Sequence, residues 1–316
     1  MDNNKKEVNN SNNNNVVHKK EEYENKILSF EELENERITF MKNYKSKTRL
    51  QTVVGLCFFA LMIGGIYLIT TFSNYFWLIF VGIIVLFFVL YQVKKYFQVA
   101  RTEMTRKYVF LYRNKLHDHV YSATKGVEIL EAEAYRSLDK NKLNDLSLFG
   151  RMKHVESNDG VKAKFEGREF ETGNIAVYRE KMMLDFYGKA YLFTTDKEYD
   201  GKLYIHIHKP DLNAEYLDLT DMVKVENDKF DVYSSLDENE TNKILSQRLV
   251  DALSKVSIDE LCTEFLLAIN GNNITVCAGY NSVIIDIAAN EKIDQKVFDR
   301  LYQELQLVLS VYKAVK

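Results

Sequence analysis

Residues 50–93 read LQTVVGLCFFALMIGGIYLITTFSNYFWLIFVGIIVLFFVLYQV, 44 consecutive positions without one Asp, Glu, Lys, Arg or His. A bilayer's hydrocarbon core is ~30 Å thick and takes ~20 helical residues to cross, so the run is long enough to cross it twice. Ser73-Asn74 divides it into apolar stretches 53–72 and 75–93, each close to one span in length. Backbone groups in hydrocarbon must bond within their own segment, and two helices joined by a tight turn are therefore predicted. A buried helix of a soluble protein carries a shorter apolar run, ~10–14 residues. A signal peptide starts within the first residues, whereas some fifty mostly polar residues precede this run.

Orientation follows from the flanking charges. Lys42, Lys45, Lys47 and Arg49 precede the first stretch, Lys94, Lys95, Arg101, Arg106 and Lys107 follow the second, and the turn between is uncharged. Under the positive-inside rule both flanks are cytoplasmic, with Tyr75, Phe76 and Trp77 at the outer headgroup level and Tyr91 and Tyr96 at the inner one. The expected location is the cell membrane, multi-pass, with both termini in the cytoplasm.

Composition narrows the function classes. A formal charge of −3 over 316 residues gives no basic excess of the kind nucleic-acid binding needs. Cys57, Cys262 and Cys277 have no metal-ligand spacing and suit a reducing compartment. Asn239-Glu-Thr241 and Asn273-Ile-Thr275 match the glycosylation acceptor pattern, but a cytoplasmic segment would carry no sugar. A single proline, Pro210, among plentiful Asn, Lys, Ile and Tyr fits the drift of an AT-rich bacterial genome.

The chain divides into five parts. Residues 1–28 are Asn-rich and too poor in apolar side chains to repay the entropy of ordering, so disorder is expected there. Residues 29–50 form an amphipathic helix opened by the capping box Ser29-Phe-Glu-Glu32, with Phe30, Leu33, Phe40, Met41 and Tyr44 at near-helical spacing. Its acidic run Glu31, Glu32, Glu34, Glu36 disfavours anionic lipid, and packing against the helix that leaves the second span is expected. Residues 51–93 are the hairpin. Residues 94–144 are a juxtamembrane helical segment, apolar on one side through Tyr96, Phe97, Tyr108, Val109, Tyr112 and Leu116 to about His117.

Residues 145–316 read as a cytoplasmic α+β domain, an antiparallel sheet with flanking helices that folds without the spans and without metal. Strands are expected at 161–165, 175–178, 189–193, 203–208, 230–233, 265–269, 274–277 and 283–287. Asp159-Gly160, Asp200-Gly201 and Asn270-Gly271 are hairpin dipeptides. Helices are expected from an N-cap at Ser246 to Val256, and from Asp294 to the C-terminus.

The succession Leu148-Phe149, Asp159-Gly160, Phe186-Tyr-Gly188, Asp196, Gly201, Phe230-Asp-Val-Tyr-Ser-Ser235 and Ile244-Leu-Ser246 resembles the uncharacterised bacterial membrane family DUF3137, over about residues 106–287. Family members tend to have Pro where this chain has Gln247, which blurs only the helix start. The resemblance implies a membrane-anchored cytoplasmic domain and brings no catalytic residue with it.

Candidate chemistry is sparse. Asp196-Lys-Glu198-Tyr-Asp200-Gly201 opens like a calcium loop, but position twelve is Ile207 where a bidentate Glu is needed, so a solvated turn is expected. His206 and His208 share a strand face, as would His117 and His119 on an extended segment. Zinc takes three or four ligands, and His154, Asp185 or Glu198 would have to join them through tertiary contacts. Phosphate loops, nucleophile elbows, His-Glu-x-x-His and Cys-x-x-Cys motifs are missing from the sequence. No cofactor or metal is expected, and catalytic residues are unknown.

A membrane-anchored cytoplasmic interaction or scaffolding module is the leading expectation, with the lipid bilayer and a protein partner or a second copy as its contacts. The alternatives are a membrane-anchored enzyme using His206 or His208 as dispersed acid–base groups, and an accessory subunit of a transport complex, which a hairpin without ionisable groups disfavours. Within the hairpin, Gly64 and Gly82 are equidistant from the turn and are expected to touch.

Overall fold

The computed structural model describes residues 30–133, 136–139, 142, 148–150, 154–179, 183–210, 212, 216–281 and 295–316. The expected disordered tail, Ser29 of the capping box, Asp145, the strand at 283–287 and Asp294 lie outside the described residues. The chain is α+β, with two long apolar helices and an antiparallel sheet.

Helix α1 spans Phe30–Thr71 and α2 spans Phe76–Ala123, joined by a single 3₁₀ turn at Ser73–Tyr75. Both contain a stretch long and apolar enough to cross a membrane, and those stretches are almost entirely uncovered by the rest of the fold. The helices run side by side. Phe58 meets Phe87 edge to face at 4.2 Å, Arg101 lies over the Tyr44 ring, and Phe40 stacks on Tyr108 at 4.3 Å. The segment before the first apolar stretch therefore packs on the segment after the second.

The expected Gly64–Gly82 contact is absent: a Cβ at either would meet nothing within 4 Å, whereas one at Gly65 would meet Ile83 Cδ1 at 2.7 Å. Equal distance from the turn fixes depth but not azimuth, and Gly65 points ~100° around the helix from Gly64.

The sheet is built from β1 Val127–Glu133, β2 His154–Phe165, β3 Arg168–Arg179, β4 Met183–His208, β5 Val223–Val225, β6 Asp231–Ser234 and β7 Cys262–Tyr280. Helices α3 Glu238–Ile244 and α4 Gln247–Leu253 precede β7, and α5 Gln295–Val315 follows it. Strands β1 to β4 form an antiparallel meander. β7 folds back on itself: the Asn281 N–H donates to the Leu261 carbonyl at 3.1 Å, and the chain reverses at Gly271, φ +56°. The arms of β4 flank it, Gly188–Thr194 pairing with 273–279 and Lys202–His208 with 264–270. The second arm of β4 carries β6 and then β5 on its other side.

Two of the expected hairpin dipeptides are not tight turns. Asp159-Gly160 lies inside β2 at a register shift, a bulge with Asp159 at φ +54°. Asp200-Gly201 lies on the exposed crossing that carries β4 past the tip of β7, where Tyr199 stands opposite Gly271. The β2–β3 reversal is made instead by Glu166-Gly167, both at positive φ.

Both faces of the sheet are covered. On one, Phe170, Tyr191, Phe193, Leu203, Ile205, Leu267 and Val276 pack against α5, α4 and the end of α2. On the other, Ile175, Phe186, Ala190, Leu266 and Cys277 lie under Leu138, Leu148, Phe149, Tyr216 and Leu217 of the connecting segments. Sequence reading ends the juxtamembrane helix near His117 and begins the domain near residue 145. In the structure α2 continues to Ala123, buries Tyr112, Leu116, Val120 and Tyr121 in the core, and leads directly into edge strand β1.

Candidate functional site

Polar side chains gather on the second face of the sheet. In a strand, alternate residues share a face, so His206 and His208 of β4 stand together, with ring centroids 4.2 Å apart. Glu264 of β7 pairs across from His208, and Asp231 of β6 across from His206. The hydrogen bonds run diagonally: His206 Nε2 lies 2.9 Å from Glu264 Oε2, and His208 Nε2 lies 3.0 Å from Asp231 Oδ2. The Tyr216 hydroxyl donates to the same Glu264 oxygen as His206, and Lys224 of β5 binds the other oxygen of Asp231 at 2.7 Å. His208 Nδ1 lies 2.6 Å from the Lys209 carbonyl. Both its ring nitrogens thus face acceptors, and it makes both bonds when both carry hydrogen.

Glycine makes room for the inner half of this ladder. A Cβ at Gly279 would collide with Glu264 Cγ, so the Glu264 side chain occupies the space a side chain there would fill. His206 and Glu264 are buried, with Tyr216 bonded to Glu264, whereas His208 and Asp231 reach solvent. Burial, then Glu264, pushes the Tyr216 hydroxyl far above its usual range, so it stays a donor. Lys224 and His208 hold the Asp231 carboxyl below its ordinary value. The two halves meet by ring contact, without a hydrogen bond between the histidines. The ladder therefore ties four strands together and offers an acid–base pair at the surface, His208 with Asp231.

A second polar group lies where α2 enters the sheet. Arg113 binds both oxygens of Asp159 at 3.1 Å, and Asn174 donates to the same carboxylate at 2.7 Å. Asp159 is fully buried in its left-handed bulge. One and two turns further along α2, His117 and Tyr121 face Lys189 of β4, whose ammonium lies 5.7 Å from the Tyr121 ring and 5.5 Å from that of Tyr191. Burial, then Lys189 and Arg113, holds the His117 imidazole well below its usual value of 6.5, so the ring is neutral. Glu304 of α5 accepts from both Tyr191 and Tyr280.

The structure joins His206 to His208, sets Asp185 close enough to Tyr216 to act on it electrostatically, and turns His117, His119, His154 and Asp196 to other partners. His117 and His119 sit on a helix, where residues two apart diverge; His117 turns to Tyr121 and His119 to Phe298. His154 is exposed beside Glu156, and Asp196 of the acidic loop pairs with Arg168. No group of three His, Cys, Asp or Glu suited to a metal ion occurs among the described residues. Sequence reading missed Glu264, Asp231, Tyr216 and Arg113. Glu264 alone carries a readable signal, a carboxylate inside the apolar strand Cys262-Thr-Glu-Phe-Leu-Leu267.

Comparison with known protein families, with characterised proteins and with solved structures gives no match.

Proposed function

We propose that this chain is a membrane-anchored protein of the DUF3137 type, whose α1–α2 hairpin crosses the bilayer and whose sheet domain acts in the cytoplasm as an interaction or scaffolding module. One observation carries the reading. α2 is a single helix of 48 residues that carries an apolar, uncovered stretch in its first part, within Phe76–Arg106, and whose last turns are core of the sheet domain. A domain built around the end of such a helix is held at a fixed distance from wherever the apolar part resides. The basic residues on both flanks of the hairpin support a cytoplasmic domain.

Single cysteines at Asn74 and Asp228, in a chain with Cys57, Cys262 and Cys277 replaced, test the topology. An impermeant thiol reagent should label the first and spare the second on intact cells, and label both after lysis. The reverse pattern overturns the reading. Purification of the full chain in mild detergent addresses the module: a stoichiometric soluble or peripheral partner supports it, whereas a set of other spanning subunits favours the transport-accessory alternative.

A further inference from the structure

Along α2, immediately after the charge-free run, an open groove of about 440 Å³ is lined by Tyr91, Lys94, Lys95, Gln98, Val99 and Thr102, with Glu103 at its far end. We infer that this groove seats the headgroup of an anionic phospholipid; the inference rests on the bilayer placement proposed above. A helix rises ~1.5 Å per residue, and the headgroup layer adds ~5–8 Å to each side of the hydrocarbon. Counted from Val93, Lys94, Lys95 and Gln98 fall within that layer, while Glu103 stands about 12 Å beyond Lys95, out of reach of a phosphate held by the lysines.

The surrounding charge fits the same ligand. From Arg37 through Thr102 the chain contains no Asp or Glu, yet after Arg37 it holds Lys42, Lys45, Lys47, Arg49, Lys94, Lys95 and Arg101. Tyr44 stands against Arg101 and Phe58 against Phe87, which sets Lys47 and Arg49 of α1 at the level of residues 96–98 of α2. Two helices thus place four cations around one layer without a carboxylate among them. Basic residues at that depth attract anionic lipid. Tyr91 and Val99 add apolar surface for the glycerol end, and Gln98 adds an amide donor.

The test uses the full chain in detergent and its melting temperature against dioctanoyl phosphatidylglycerol, dioctanoyl phosphatidylcholine or inorganic phosphate. The anionic lipid should stabilise the protein at a concentration at least about tenfold lower than either of the others. Lys94→Gln with Lys95→Gln should raise its half-effect concentration about tenfold or more, and Lys229→Gln with Lys255→Gln, equal in charge but distant in the sheet domain, should not. Val99→Trp fills the groove and keeps every charge, so it too should weaken the response. An equal response to phosphatidylcholine or to phosphate, an undiminished response in Lys94→Gln with Lys95→Gln or in Val99→Trp, or an equal loss in the distant pair overturns the inference. Alkaline carbonate extraction from native membranes reads the bilayer placement separately: a chain released without detergent refutes the placement itself, whereas one retained without the lipid selectivity refutes only the headgroup site.

Discussion

In the α1–α2 hairpin Leu56, Trp77 and Leu78 turn 64%, 73% and 76% of their surface outward, while in the sheet domain Leu203, Val232, Leu267 and Val276 expose none. Composition does not separate the two regions, since both are rich in large apolar side chains. What separates them is where polar groups are spent. Residues 50–93 of the hairpin hold none that is charged, and the domain threads charged groups through its interior, each held by named partners: Asp159 by Arg113 and Asn174, Glu264 by His206 and Tyr216, Glu304 by Tyr191 and Tyr280. A region whose core depends on such pairs is sensitive to single deletions. The uncovered helices have few partners to lose.

The largest test of this contrast is truncation. A chain starting at Asp145 lacks β1 and the buried Tyr112, Leu116, Val120 and Tyr121 of α2, so it should fail to melt cooperatively, whereas one starting at Arg106 should do so in circular dichroism. Next comes Asp159→Ala, which removes the buried carboxylate that Arg113 and Asn174 bind and puts an ordinary side chain at φ +54°. It should cost about 3–5 kcal/mol in equilibrium unfolding. Gly279→Ala drives a Cβ toward Glu264 Cγ, which its hydrogen bonds hold in place, and should cost about 1–3 kcal/mol.

His117 gives a pH signature. Its folded pKa lies below the 6.5 of the free side chain, so the unfolded chain binds the extra proton. That contribution is complete above about pH 6.5 and is lost as pH falls toward the folded value. The drop in melting temperature from about pH 7 to about pH 5 should therefore be smaller in His117→Gln than in the wild type. The smallest effect belongs to the hairpin. Gly65→Ala meets only the flexible end of Ile83 and gains helix propensity, so unfolding in detergent should shift by less than about 1 kcal/mol. A large loss there would mean that the hairpin is packed as tightly as the sheet.

Sequence alone exposed the apolar pair because an uninterrupted run needs no tertiary knowledge. It located β2, β3, both arms of β4, β6 and both arms of β7, whose apolar clusters are visible locally, and it found the reversal at Asn270-Gly271. It missed β1, because in Val127-Glu-Ile-Leu-Glu-Ala-Glu133 the helix formers Glu, Leu and Ala outnumber the β-branched Val and Ile, and pairing with β2 makes it a strand. It misjudged Asp159-Gly160 because positive φ serves a bulge as well as a turn, and it passed over Glu166-Gly167 because Glu seldom adopts that conformation. His206 and His208 were visible as neighbours. Their carboxylate partners lie 58 and 23 residues away along the chain, and only strand pairing brings them together.

The unbroken course of α2 has a rotational consequence. Over 48 residues the helix is about 72 Å long, and each residue added to it turns everything beyond by ~100°. One residue inserted after Gln98 would swing Tyr108 away from Phe40 and turn the whole sheet domain, with Arg113 and Asp159 still aligned inside it, relative to the paired apolar helices. Hairpin and sheet thus share a single angular phase. A twist applied to the paired helices is delivered to the sheet as torque, with no joint in between to absorb it.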